Sequence, residues 1–394
     1  MKVSLIITRK LFFLLFMVGM LVTACQPFLL NTAESPDSQQ PAGVNSPVTL
    51  VPEPISTEKI IPSNEKIPLV VFAAGSLIIP FAEIEKAFEI KYPEIDVHAE
   101  YHGSIQVMRH VTELHEPIDV VATADASLVP MLMYATNNPE TNQPYANWFI
   151  RFAGNKLALA YTDQSRYADE INAQNWTEIL GRDDVRYGLP DPRFDAAGYR
   201  AFMAYALQEN EWQRYDIFKS FVKDQFSFPV TIFREDDKTT IRIPEILETK
   251  SGSHIFIRGA SVFLIALMES GDLDYAFEYE SVIRQHGLKM VSLPDSINLG
   301  NISLRDQYQQ VEVKLDFQRF STVKPIFIGE PIEYAINIPT SSPHPEEAAL
   351  FIQFLLSEEG RTVMEKNQHP LLDTYQANGF DQMPEILQDI CVEE

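Results

Sequence analysis

Cysteine is nearly missing from this chain, which carries only Cys25 and Cys391. No disulfide framework can be built from such a pair, and Cys391 reads as an unpaired residue of a tail. Basic residues are also scarce: 31 Lys and Arg stand against 55 Asp and Glu, a net charge of −24. Nucleic acid and anionic membrane surfaces are held mainly by clustered Lys and Arg, so neither is expected as a partner. The phosphate-binding P-loop, the G-x-G-x-x-G turn, the G-x-S-x-G elbow and H-E-x-x-H are all absent, which weakens nucleotide-dependent, hydrolase and zinc-peptidase readings. The eight histidines are scattered; His110 and His115 lie five apart on a predicted helix and diverge, so no metal site is expected from them. No repeat of fixed period is visible.

What is present begins at the N-terminus. Lys2, Arg9 and Lys10 precede the apolar stretch 11–24, which is short for a membrane span and suits a signal peptide. Val22-Thr23-Ala24-Cys25 resembles a bacterial lipobox, in which the cysteine is lipidated and becomes the new N-terminus. Residues 1–24 are therefore expected as a lipoprotein leader, and Cys25 as the lipidation site of a protein anchored on the outer face of the cell membrane. Residues 25–66, rich in Pro, Ser, Asn and Gln and without period, read as a disordered tether.

From Ile67 onward strands and helices alternate, which predicts an α/β protein with mostly parallel sheets. Strands are expected over 67–75, 95–103, 118–125, 155–163, 275–281 and 333–339. Helices are expected over 104–116, 175–182, 197–209 and 260–270, with one long amphipathic helix over 343–367. Residues 213–257 show no clear period and read as a peripheral helix and excursion. A chain of 394 residues exceeds one ordinary core, so two domains are expected.

Four strand-to-helix corners carry small or hydroxyl residues: AAGSL (73–77), YHGSIQ (101–106), DPRFDAAGYR (191–200) and IRGASVFL (257–264). A helix start offers backbone N–H groups without internal partners and the positive end of the helix dipole, and so suits an anion. Gly permits close approach and Ser adds a donor. One such corner is commonly a helix cap and nothing more. Four in one chain, in two halves, weigh more than a single cap.

Seven blocks, in order, carry a family resemblance: VFAAGSLIIPFAEIEKAFE, YHGSIQVMRHVTEL, PIDVVATADASLVPML, YANWFIRFAGNKLALAYTDQSRYADEINAQNWTEIL, DAAGYRAF, SGDLDYAFEYESVIRQHGL and FIQFLLSEEGR. Over about residues 68–370 the chain resembles the tungstate/molybdate-binding proteins of ABC importers. The resemblance implies a two-lobed type II periplasmic-binding-protein fold, its lobes joined by two or more crossing strands and closing on a tetrahedral oxyanion. It implies a first lobe over 67–155, a second mainly over 156–290, the rest of both lobes and a second crossing over 291–370, and a C-terminal tail over 371–394. The first lobe would bind the anion through Gly75, Ser76 and Ser104. The second would use Asp195, Ala196 and Ala197, which match the family's Asp-Pro-Cys triplet, together with Tyr279, whose hydroxyl would donate. Asp195 would be a possible direct ligand to the tungsten or molybdenum, or else a cap of the following helix. At Ser261 the chain departs from the family, whose archaeal members place a metal-reaching glutamate there, so it keeps the aspartate and lacks the glutamate that together raise the metal to six oxygen neighbours. Ser261 is expected to donate a hydrogen bond to a tetrahedral anion instead.

The resemblance further implies an ABC permease as partner, a monomer, no cofactor beyond the bound oxyanion and no enzymatic activity. Sulfate, phosphate or a ferric complex on the same fold is the alternative cargo. A hydrolase using Ser76 or Ser104 needs a histidine within hydrogen-bond reach. The negative net charge does not exclude an anion, because hydrogen bonds to a charged group contribute about 1.5–3 kcal/mol each and six or so neutral donors suffice without a cation.

Overall fold

The computed structural model describes residues 66–316 and 325–394. The expected leader, Cys25 and all but the last residue of the tether lie outside the described residues. Among the described residues, runs rich in Val, Ile, Ala and aromatic residues form sixteen strands. The first four are β1 (Ile67–Ala74), β2 (Ile95–His102), β3 (Val120–Thr123) and β4 (Phe149–Gly154). There follow β5 (Leu157–Tyr161), β6 (Tyr187–Pro190), β7 (Thr231–Glu235) and β8 (Lys238–Ile243). Next come β9 (Ile255–Arg258), β10 (Tyr275–Tyr279), β11 (Lys289–Ser292) and β12 (Val311–Leu315). The last are β13 (Ile326–Ile328), β14 (Glu333–Asn337), β15 (Leu371–Asn378) and β16 (Val392–Glu393).

These strands make a seven-stranded sheet in the order β16-β15-β4-β14-β3-β1-β2, a five-stranded sheet in the order β11-β5-β10-β6-β9, and a four-stranded sheet β13-β12-β8-β7. The first two are the cores of two lobes. Only two residues, Asn155 and Lys156, separate β4 of the first lobe from β5 of the second. The chain returns between β13 and β14, so the lobes are joined by two crossings.

The sheets are mixed where mostly parallel ones were expected. β1 runs parallel to β2 and β3, but β14 is antiparallel to both β3 and β4, and β5 is antiparallel to both β10 and β11. The crossing strands cause this: a strand that enters a lobe from its neighbour arrives without the crossover helix that a parallel pair needs.

Helices cover both sheets. In the first lobe Phe88 of helix Ile78–Lys91 meets Phe351 of helix Pro345–Leu355 edge to face, with ring centroids 5.3 Å apart. In the second, Tyr205 of helix Ala196–Trp212 stacks on Phe221 at 3.8 Å, and Trp176 donates from Nε1 to Gln208 at 2.8 Å. Full burial of each such ring contributes about 1.5–3 kcal/mol.

Three other expectations change. The amphipathic segment 343–367 is two helices, Pro345–Leu355 and Glu358–Lys366, because the Ser357 hydroxyl caps the second by accepting from Gly360 N at 3.3 Å. Residues 371–394 are not a loose appendage, since β15 pairs with β4 and carries β16 beside it. Residues 213–257 contribute β7 and β8 to a third sheet, completed by β12 and β13 from far along the chain.

Candidate functional site

The site is built from the four strand-to-helix corners, and the first differs from a simple capped start. After β1 the chain makes a short turn, Gly75–Leu77, before the 78–91 helix. Ser76 caps neither element: its buried Oγ lies 2.8 Å from Tyr334 Oη, on the strand that returns through the second crossing. Gly75 faces the other lobe, and a Cβ there would lie 3.2 Å from a methyl of Val262.

At the second corner Gly103 precedes helix Ser104–Thr112 in extended conformation. Ser104 Oγ accepts from Ala124 N at 3.0 Å. Two N–H groups of this helix start, Ile105 and Gln106, are taken by Phe194 O of the second lobe at 3.0 and 3.3 Å. The lobes are thus hydrogen-bonded to each other across the cleft.

The third and fourth corners are tied together by Asp195. It caps the 196–212 helix by accepting from Ala197 N through Oδ1, and its Oδ2 accepts from Ser261 N, both at 2.9 Å. Burial raises the pKa of this carboxyl, opposed by the two backbone N–H groups and by nearby Arg200. The cap expected as one of two roles for Asp195 is therefore present, and the Ala197 N–H is engaged by it. Ala196 and Ala197 are fully buried at the helix start, and Ser261 is buried just ahead of helix Val262–Glu269.

Tyr279 ends β10 and is buried; its Oη accepts from Arg200 Nη1 at 2.7 Å. Its ring lies edge-on to that of Tyr334, with centroids 6.2 Å apart. Burial raises the pKa of both phenols, so each is a neutral O–H donor at pH 7. The structure therefore links the eight expected residues into one region: Gly75 and Ser76 through Val262 and Tyr334, Ser104 through Ala124 and Arg200, and Asp195 with its alanines through Ser261.

Five residues of this region were not singled out from the sequence. Asn155, in the first crossing, donates through Nδ2 to Ser281 Oγ at 2.8 Å and to Tyr334 Oη at 3.1 Å. Arg200 also donates to Ala124 O at 2.8 Å and pairs with Asp125 at 3.2 Å, so a buried cation stands beside Tyr279 where neutral donors alone had been expected. Asp125 balances its charge. Glu278 is buried with Oε1 accepting from Tyr279 N at 2.7 Å and the Ser261 hydroxyl beside its carboxyl. Burial pushes its pKa up to about 8, so it carries a proton at pH 7 and adds no negative charge here. A charged residue within the Ala- and aromatic-rich run GYRAFMAYA was the available signal for Arg200; Asn155 and Tyr334 gave none.

The hydroxyls share one pattern. Arg200 donates to Tyr279 Oη and Ala124 N donates to Ser104 Oγ. Asn155 also donates to Tyr334 Oη, and since either hydroxyl of the Ser76–Tyr334 pair can be the donor, one proton of that pair is left to give. Ser104 and Tyr279 thus have their oxygens engaged and their own protons free to give, and the Ser76–Tyr334 pair keeps one proton more. The bonded partners of Ser76 and Ser104 are Tyr334 and Ala124, and neither is a histidine base.

Two α/β lobes, joined by two crossings and meeting at opposed helix starts lined with hydroxyl donors, define a two-lobed solute-binding protein. The chain belongs to the family of bacterial extracellular solute-binding proteins, which matches residues 69–367. The molybdate/tungstate-binding protein WtpA of Thermococcus kodakarensis is 37% identical over 338 residues, 84% of this chain and 89% of that one. WtpA of Pyrococcus abyssi is 36% identical over 312 residues, 77% of this chain and 84% of its own. An uncharacterized solute-binding protein of Petrotoga mobilis is 36% identical, covering 82% of this chain and 89% of its own. Among solved structures the sulfate-binding protein SubI of Mycobacterium tuberculosis shares the fold with a TM-score of 0.50 and 13% identity, over 83% of this chain and 92% of that one. The family resemblance read from the sequence blocks holds.

Proposed function

We propose that this protein captures tungstate or molybdate outside the cytoplasm and hands it to the permease of an ABC importer, held at the membrane by a lipid on Cys25. The observation that carries this reading is the set of hydroxyls, Ser104, Tyr279 and the Ser76–Tyr334 pair, whose oxygens are engaged and which keep three protons to give. Such a set suits a ligand that only accepts, which a fully deprotonated tetrahedral oxyanion does. Gly75, Ala196 and Ala197 offer little bulk at the cleft, and Ser261 adds a hydroxyl where a glutamate would have supplied a metal ligand. Asp195 is the carboxylate that would have to reach the metal, yet both of its oxygens already accept a backbone N–H. This favours a tetrahedral anion bound by hydrogen bonds over expansion to six oxygens. Molybdate/tungstate-binding relatives at 36–37% identity support the same cargo.

The test is calorimetric titration of the detergent-purified full-length protein with tungstate, molybdate, sulfate and phosphate in turn. Tungstate and molybdate should each give saturable heat, stabilise the fold by about 2.7 kcal/mol at a hundred times Kd, and so raise the melting temperature. Silence with both metal oxyanions and saturation with sulfate or phosphate would replace the cargo while keeping the class.

A further inference from the structure

One cross-cleft contact joins the anion donors to the closure of the lobes. Asp125, in the loop after β3 of the first lobe, divides its carboxylate between two tasks. Its Oδ1 stays at home, accepting from Ser127 N at 2.9 Å and Ser127 Oγ at 2.7 Å. Its Oδ2 reaches across to Arg200 at 3.2 Å and accepts from the Tyr199 hydroxyl, both on the 196–212 helix of the second lobe. Arg200 is fixed on its other side by Ala124 O and Tyr279 Oη. The peptide N–H of that same Ala124 is bound to Ser104.

We propose that Arg200 and Asp125 form a latch that ties capture of the oxyanion to closure of the lobes, with Arg200 as the positioning residue for Tyr279. This rests on the oxyanion reading for its ligand but not for its geometry. When Tyr279 gives its proton to an anion, its oxygen becomes a better acceptor for Arg200, since hydrogen bonds in a chain polarise one another. Arg200, so held, presents its second nitrogen to Asp125 and its carbonyl partner to Ser104, drawing the first lobe in. The coupling is reciprocal: opening the lobes strips a buried guanidinium of two first-lobe acceptors and loosens Tyr279. A lysine cannot replace this arrangement, because the three acceptors lie in directions that a planar fork serves and a point charge does not.

Asp125→Asn separates the latch from simple charge. With its oxygen kept on Ser127, the new amide turns its N–H groups toward the Tyr199 and Arg200 donors and breaks the crossing contact. Removing a carboxylate near a bound dianion should, on charge alone, slow release; loss of the latch should speed it. The experiment measures tungstate release by stopped-flow displacement, and the radius of gyration without added anion by X-ray scattering, in wild type, Asp125→Asn and Tyr199→Phe. We expect release at least about fivefold faster in Asp125→Asn and a smaller change of the same sign in Tyr199→Phe, as befits loss of charged hydrogen bonds. The anion-free radius should grow in Asp125→Asn. Release at the wild-type rate or slower, with an unchanged radius, overturns the latch. A larger radius in a protein whose wild type binds neither tungstate nor molybdate keeps the latch and overturns the cargo instead.

Discussion

Gly103 of the first lobe stands directly against the Phe194 carbonyl of the second: a Cβ built on it would lie 2.4 Å from that oxygen and 3.0 Å from Gly259 O. Its backbone, at φ −63° and ψ 143°, is one any residue adopts, so the glycine answers to the neighbouring lobe and not to its own turn. Gly103→Ala should therefore leave the first lobe folded while holding the lobes apart. Tungstate affinity is expected to fall at least about tenfold, with unfolding free energy lowered by about 0.5–3 kcal/mol, the usual range for a substitution at a buried position. Unaltered affinity would show that the cleft closes without this contact.

Asp195 joins the start of one helix to the start of another, and its removal should be felt as lost stability. Asp195→Ala deletes a cap and leaves the buried Ser261 N–H without an acceptor. A cap alone is worth about 0.5–2 kcal/mol and an unsatisfied buried donor about 1–3 kcal/mol. Urea unfolding should show a loss of about 2 kcal/mol or more. Asp195→Asn keeps one acceptor, and its loss should be smaller. Stability preserved in both, with tungstate binding abolished, would assign the carboxylate to the metal instead of to the fold.

The corners were legible because Gly, Ser and Asp at strand-to-helix junctions are local chemistry, readable within a few residues. What assembles them was not. Ser76 depends on Tyr334, 258 positions away, and Tyr334 on Asn155, 179 positions away; no period or spacing encodes such pairs. The third sheet was missed for a related reason: β8 finds its parallel partner β12 some seventy residues later, and its own sequence, KTTIRI, shows only a short alternation. The division of the 343–367 segment turns on a single hydroxyl, Ser357, inside an otherwise continuous apolar stripe. Mostly parallel sheets followed from strand and helix alternation, which cannot show where the chain leaves one lobe for the other.

Glu278 gives the site a pH signature. Burial holds its pKa up at about 8, while an unfolded glutamate titrates near 4.3. Between those values the unfolded chain has lost this proton and the folded one keeps it. The folded state then binds more protons, so stability falls as pH rises, by about 1.4 kcal/mol per unit from this group, and the slope ends once the folded group ionises near pH 8. Below about pH 4 both states are protonated and the effect vanishes. Glu278→Gln keeps the shape, cannot ionise, and should remove this slope. Urea unfolding of both proteins at about pH 5, 6, 7 and 8 should therefore show the variant gaining on wild type at every step. Parallel curves over that window would mean that the folded protein ionises Glu278 as freely as the unfolded chain does, and that a carboxylate stands uncompensated beside Asp195.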